Sequence, residues 1–187
     1  LSDVHRHLKK QRIASPLLAI AATFDDVFPT QLLRRMAVEE RIEEVDAALT
    51  WLIQNRFLAS GDNGMLLSLS TTLQRDLYLR QPLARLERRH RQIADWYFAS
   101  QNIVAAVRHR QKAGQWHEAA TVLLQAADDL INELQSRDLL ALLQQFPAHS
   151  LPPSLWRDVQ IRLSDMLALT GDTEGAISAC RRALKVS

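Results

Sequence analysis

One cysteine, five glycines and six prolines are all that 187 residues hold of the types that staple, loosen or break a chain. The single thiol, Cys180, can form neither an internal disulfide nor a multi-cysteine metal site. That excludes a disulfide-built fold and suits a reducing, cytoplasmic compartment. The scarcity of glycine and proline, beside 47% hydrophobic and 24% charged residues, excludes a disordered tail. No long apolar run exists either. The longest, Ala14 to Thr23, falls far short of the roughly 20 residues that span a bilayer. Charge of one sign is also missing: residues 1–80 carry ten Lys/Arg against ten Asp/Glu, and residues 81–187 carry thirteen against eleven. A nucleic-acid binder concentrates positive charge on one face, because neutralised phosphates supply most of its affinity. Only two local basic clusters occur, His5 to Arg12 and the group Arg85, Arg88, Arg89 and Arg91. Both read as solvated helix faces, the second with a candidate role in contacting an acidic partner or a phosphate. The chain opens Leu1-Ser2-Asp3 and closes two residues after Lys185, within what reads as an unfinished helix, so a piece of a longer protein is expected.

What is present is helical periodicity. Ser15-Pro16 reads as a cap and first-turn proline ahead of Leu17, Leu18, Ile20 and Ala21. Phe28-Pro29-Thr30 opens a second helix with Leu32, Leu33 and Met36, and the acidic stretch Glu39 to Glu44 separates it from a third. In that third helix Ile42, Val45, Leu49, Leu52 and Ile53 form one stripe. The period then changes: Phe57 to Ser60, Gly61-Asp62-Asn63-Gly64 and Met65 to Leu69 read as a hairpin, with Asn63-Gly64 supplying positive φ. Three helices and a two-stranded wing predict a winged helix over residues 1–80.

Residues 81–187 predict only short antiparallel helices. Leu83, Leu86, His90, Ile93 and Tyr97 mark one face of the first, and Ile103, Ala106 and Val107 mark the next. Trp116 to Leu134 keeps helical spacing for five turns; Leu139, Leu140 and Leu143 form a helix ending at Phe146-Pro147. Leu155, Val159, Leu163 and Met166 follow Pro152-Pro153, and the last helix carries Ala176, Ile177, Cys180, Ala183 and Leu184. Two turns repeat: Gly114 precedes Trp116 and Ala119 as Gly171 precedes Ala176, a glycine followed five residues later by an alanine. Glycine takes the left-handed conformation that ends one helix, and the small alanine lets the next pack closely. A weaker copy has Gln101 in the glycine place and Ala106 five residues on. This spacing predicts a helical-repeat domain.

Ala94-Asp95-Trp96-Tyr97, Gln101-Asn102 with Ala106-Val107-Arg108-His109, and Ala113-Gly114-Gln115-Trp116 with Ala119-Ala120 resemble the MalT-type transcription regulators. These are LuxR-family members of the signal-transducing STAND ATPases. Phe146-Pro147 and Leu167 to Asp172 continue the resemblance, which is specific from Leu86 to Ala183 and looser over residues 15–80. It implies a P-loop ATPase domain, a winged helix, an arm of tetratricopeptide-like helices and often a DNA-binding helix-turn-helix. It further implies that ATP binds the parent protein and that the arm meets the protein's own ATPase domain, an inducer or regulatory protein, and copies of itself. Gln101 stands where the family prefers glycine, and Leu69-Ser70-Thr71 replaces its usual histidine-containing segment.

Catalytic patterns are absent. No Gly-x-x-x-x-Gly-Lys-Ser/Thr string occurs to cradle phosphates, so no cofactor is expected in this segment. His117-Glu118 begins like a zinc-protease helix, but Thr121 occupies the second ligand position. No Gly-x-Ser-x-Gly elbow exists, and Cys180 sits on the expected apolar stripe. The adjacent carboxylates Asp25-Asp26, Glu39-Glu40, Glu43-Glu44 and Asp128-Asp129 diverge by about 100° within helices and read as exposed faces or helix N-termini. The aromatic run Trp96-Tyr97-Phe98 reads as interhelical packing. A winged helix offers its third helix to the DNA major groove, yet here that helix starts Glu43-Glu44-Val45-Asp46, which a polyanion repels.

The expectation is therefore a non-catalytic coupling and interaction module, with Trp96, Tyr97, Gly114, Trp116, Ala119, Gly171 and Ala176 setting the repeat packing. The alternative is a self-contained winged-helix DNA-binding regulator with a helical ligand or dimerisation domain. The packing expectation has a direct test: Ala119→Trp should lower the thermal transition markedly, since overpacking costs about 1–3 kcal/mol or more. An unchanged melting temperature would remove Ala119 from the repeat contact.

Overall fold

The computed structural model describes residues 14–25 and 27–185. The basic segment His5 to Arg12, and Asp26 of the Asp25-Asp26 pair, lie outside them. The described chain is mainly helical with one small sheet, and it divides into two compact units, one ending at Ile93 and the other starting at Ala94.

The first unit begins with α1 (Ala14–Ala21), already helical at Ala14, ahead of the Ser15-Pro16 start read from the sequence. Strand β1 (Val27–Pro29) leads into α2 (Thr30–Glu39), and α3 (Val45–Gln54) follows. The expected hairpin forms as β2 (Leu58–Gly61) and β3 (Leu66–Leu69), antiparallel, joined by a short 3₁₀ turn at Asp62–Gly64. Asp62, Asn63 and Gly64 all have positive φ, of 47°, 52° and 87°. The strand β1 was not read from the sequence. It pairs antiparallel with β3, with Phe28 opposite Leu67, giving the sheet order β1-β3-β2. Pro29 can join because β1 is an edge strand, where a missing N–H costs no ladder bond. Thr30 ties the next helix to the hairpin: its N–H donates to Met65 O at 2.9 Å and its hydroxyl to Gly64 O at 2.6 Å. Leu17, Leu18, Phe24, Phe28, Leu33, Leu52 and Leu67 lie in the core, with the Phe24 and Phe28 rings stacked at 4.4 Å. A further helix, α4 (Thr71–Leu79), occupies residues the sequence reading left without an element.

Helix α5 (Leu83–Ala99) spans the division between the units. The two compact units divide within it, after Ile93, and Leu86, Arg89, His90 and Ile93 of α5 are buried. Leu83, assigned to the same apolar face, is exposed.

The second unit continues with α6 (Ile103–Lys112), α7 (Trp116–Gln125), α8 (Ala127–Asn132) and α9 (Ser136–Leu143). A 3₁₀ turn at Ala148–Ser150 precedes α10 (Pro153–Leu169) and α11 (Thr173–Leu184). Its core joins Val107, Ala119, Ala120, Leu123, Leu130, Leu139, Leu143, Trp156, Val159 and Met166. The five-turn helix expected from Trp116 to Leu134 is in fact two. At Ala126 the backbone leaves helical geometry (φ −92°, ψ 0°), which redirects the chain so that Ala127 and Leu130 still reach the core. Leu134, taken as the end of the stripe, is 93% exposed in a left-handed turn. The last helix also differs. Its buried stripe is Ala176, Ala179 and Ala183, whereas Ile177, Cys180 and Leu184 are exposed. Alanines win the interface because α10 and α11 approach closely, with the Ser164 hydroxyl donating to Ala176 O at 3.0 Å.

Six helix ends share one device. Arg41, Arg56, Gln101, Gly114, Leu134 and Gly171 all have φ between 57° and 85°. At each, the residue after it donates its N–H five residues back, as Gln115 does to Arg110 O (2.9 Å) and Gln135 to Leu130 O (2.8 Å). This is the Schellman closure, which satisfies carbonyls that a helix end otherwise orphans. Only two of the six residues are glycine, so the others adopt a conformation that costs an L-residue about 1 kcal/mol. Leu134→Gly should therefore raise stability by about 1 kcal/mol, and Gly114→Ala should lower it by a similar amount, read by denaturant unfolding. A Cβ at Gly114 would meet nothing within 4 Å, so the second effect isolates backbone strain from crowding.

Candidate functional site

The basic row of α5 was expected to face solvent. Arg85, Arg88 and Arg91 do, but Arg89 is 1% exposed. Helical spacing puts Arg89 on the side that also holds Leu86, His90 and Ile93, so its guanidinium enters the first unit rather than water. There it meets Glu40, just past the end of α2, in a two-pronged pair: Nε donates to Oε1 and Nη2 to Oε2, both at 2.6 Å. Nη1 donates to Ala19 O at 3.0 Å and to the Gln81 side-chain oxygen. Four of the five guanidinium N–H groups are thereby used. The Gln81 amide in turn donates to Ala19 O at 2.9 Å and to Leu77 O at 3.2 Å.

The arrangement answers two problems left by the backbone. Ala19 lies in the last turn of α1, where carbonyls lack an intrahelical donor and the helix carries partial negative charge. Glu39 and Glu40 add two carboxylates at the similarly negative end of α2. A buried cation between the two ends offsets both. Arg88 approaches Glu40 at 3.4 Å from the surface, while Glu39 pairs with Arg35 (3.1 Å) and accepts from Gln92 (2.6 Å). Burial pushes the Glu40 carboxyl up, but the hydrogen bond and charge of Arg89, with the charges of Arg88 and Arg85, outweigh it and hold the group below its ordinary value. Arg89 is thus corrected from a surface contact to a structural clasp, and Glu40 from an exposed carboxylate to its counter-ion. Nearby, Tyr78 Oη and His90 Nε2 lie 2.9 Å apart, and burial, with the charge of Asp25, raises the Tyr78 phenol.

The third helix carries its acids as expected in number but not in place. It starts at Val45, with Glu43 and Glu44 before it and Glu44 at φ 50°. Asp46 pairs with Arg34 at 2.9 Å. Among the remaining carboxylates, Asp128 pairs with Arg162 at 3.0 Å.

The residues assigned to repeat packing lie at and after helix ends of the second unit. Gln101, Gly114 and Gly171 are all left-handed, and Ala106, Ala119 and Ala176, five positions on, are all buried. Asn102 and Asp172 cap the following helices, accepting from Ala105 N (3.1 Å) and Gly175 N (2.9 Å). Trp116 meets Phe146 edge-on at 6.1 Å. Trp96 and Tyr97 are half-buried, with Tyr97 stacked on His109 at 5.8 Å. Phe98 is not packing material: it is 42% exposed beneath the Arg110 guanidinium. His117 is exposed in the first turn of α7. Cys180 lies 3.0 Å from the Ser164 hydroxyl. Among the described residues no group of His, Cys, Asp or Glu is placed to hold a metal ion, and no helix is long and apolar enough to cross a membrane.

No protein-family model matches the chain, and no curated protein matches it closely enough to count as a relative.

Glu40→Gln leaves a buried guanidinium without its counter-charge and should destabilise the protein by about 3–5 kcal/mol in denaturant unfolding. The pH dependence has a fixed sign. Because the folded-state value of Glu40 lies below the ordinary 4.5, its contribution is complete above that value and is lost as pH falls through the lower folded value. Stability curves of the wild type and Glu40→Gln should therefore converge on acidification.

Proposed function

We propose that this chain is a non-catalytic coupling and interaction module of a signal-transducing, ATP-dependent transcription regulator of the MalT type. On this reading the first unit is a winged helix that meets the protein's nucleotide-binding ATPase domain, and the second begins a tetratricopeptide-like arm that receives an inducer or regulatory protein. The observation that carries it is the threefold recurrence, at Gln101, Gly114 and Gly171, of a left-handed helix end followed five residues later by a buried alanine. Stacked helical repeats need that combination, a sharp reversal and then close approach. The order helix, strand, helix, helix, hairpin ahead of it, with β1 closing a three-stranded sheet, supports the winged-helix assignment.

The clasp fits a coupling role, because it locks the start of α5 to α1 and α2 through groups that have no other partner of equal strength. Direct DNA reading by α3 is disfavoured on charge: Glu43, Glu44 and Asp46 crowd its leading end, and the nearby cation Arg34 is already engaged by Asp46. The module acts in the cytoplasm, where such regulators meet DNA and ATP.

Two measurements test the proposal. The reading frame that encodes this chain should carry a Gly-x-x-x-x-Gly-Lys-Ser/Thr segment upstream; a frame beginning close to Leu1 would overturn the coupling role. Fluorescence anisotropy with labelled duplex DNA should give no saturable, salt-sensitive binding by the isolated chain. Steeply salt-dependent affinity, weakened by Arg56→Ala, would instead favour a self-contained DNA-binding regulator.

A further inference from the structure

In the second unit the end of α9, α10 and one side of α11 border an open hollow of about 330 Å³. Its floor is apolar and immobilised by packing: Phe146, Trp156, Leu163 and Leu167 are each less than 10% exposed. One cation stands on its wall. The Arg182 guanidinium is held by two neutral acceptors, with Nε donating to the Gln160 side-chain oxygen at 2.7 Å and Nη1 to the Ser178 hydroxyl at 2.9 Å. Gln160 is itself only 2% exposed, so the amide that orients Arg182 cannot swing away. No carboxylate among the described residues pairs with Arg182. Asp172 lines the same hollow, but its Oδ1 is committed to Gly175 N as the cap of α11.

We propose that this hollow binds a small amphipathic monocarboxylate, with an aromatic or branched-aliphatic body on Trp156 and Phe146 and its carboxylate accepting from Arg182. Two features select that class. A guanidinium positioned by neutral groups keeps its full charge and offers its planar fork to a carboxylate, the arrangement of highest directional strength for this side chain. The Trp156 and Phe146 rings favour an apolar body over a hydrated ion. The volume lies at the small end of the range for ligand pockets. The site stands on this geometry alone and holds whether or not the chain couples to an ATPase.

Isothermal titration of the full chain with 3-phenylpropionate tests it, with 3-phenylpropanol as the neutral counterpart of equal body. The acid should bind saturably at a single site with a dissociation constant on the order of 1 mM or tighter, and the alcohol should bind at least about tenfold more weakly. Arg182→Gln should weaken the acid by about tenfold or more, while Arg181→Gln, one residue away and outside the hollow, should leave it unchanged. Gln160→Glu provides a second variant that keeps a polar partner on Arg182 and places a competing carboxylate on it. It should abolish binding while the circular dichroism of the helices is retained. Equal binding of acid and alcohol, unchanged affinity in either pocket variant, or no saturable heat up to about 10 mM would overturn the proposal. The acid-to-alcohol comparison needs no variant and decides the matter if both substitutions impair folding.

Discussion

The first unit depends on one buried cation. Without Arg89, the carbonyl of Ala19 at the end of α1 would lose its guanidinium donor, and Glu40 would be a half-buried carboxylate at the negative end of α2. A guanidinium can serve both because its donors are planar and splayed: two prongs meet the carboxylate while Nη1 reaches the carbonyl. An ammonium in the same place would be a point charge and could not hold three elements at fixed angles. Such a pair is a poor source of net stability, since desolvation cancels much of its attraction. Its value is positional, because any other placement of α5 against α1 and α2 leaves a charge buried alone.

The second unit is organised by a different and more local constraint. Each short helix must end, reverse and present a small surface to the next. The left-handed residue does the ending, the Asn102 or Asp172 side chain restarts the chain, and the buried alanine sets the separation. Glycine is favoured at the first of these positions but not required, because the two backbone bonds of the closure and the packing that follows offset about 1 kcal/mol of strain. Gln101 and Leu134 are held left-handed in this way.

These two constraints leave the charged side chains in different settings. Several charged side chains are engaged in pairs: Glu40 with Arg89, Glu39 with Arg35, Asp46 with Arg34, Asp128 with Arg162. Arg182 differs in being steered by neutral groups over an apolar floor.

Much of this was legible in the residues alone. Periodicity located the helices because burying one face leaves an unmistakable spacing, as in Leu32, Leu33 and Met36. Asn63-Gly64 announced the hairpin because few residues accept positive φ, and Gly114 and Gly171 announced two helix ends for the same reason. The strand β1 escaped notice because three residues are too few to show alternation, and the break at Ala126 because a kink that keeps the apolar spacing is invisible in it. Leu134 misled because a leucine at helical spacing ordinarily lies inside, whereas here the closure of α8 turns it out. Arg89 and Glu40 are separated by 49 positions, so no local pattern could join them. The one available hint was two carboxylates at the end of α2, against the helix dipole, which asks for a cation without naming it. The sequence by itself determined where most of the helices run, where the hairpin turns and which catalytic motifs it does not contain, because those follow from spacing and residue type. Which arginine is buried, which alanines face α10 and what Arg182 stands over were decided only by the tertiary structure, since each depends on groups that distant parts of the chain bring into contact.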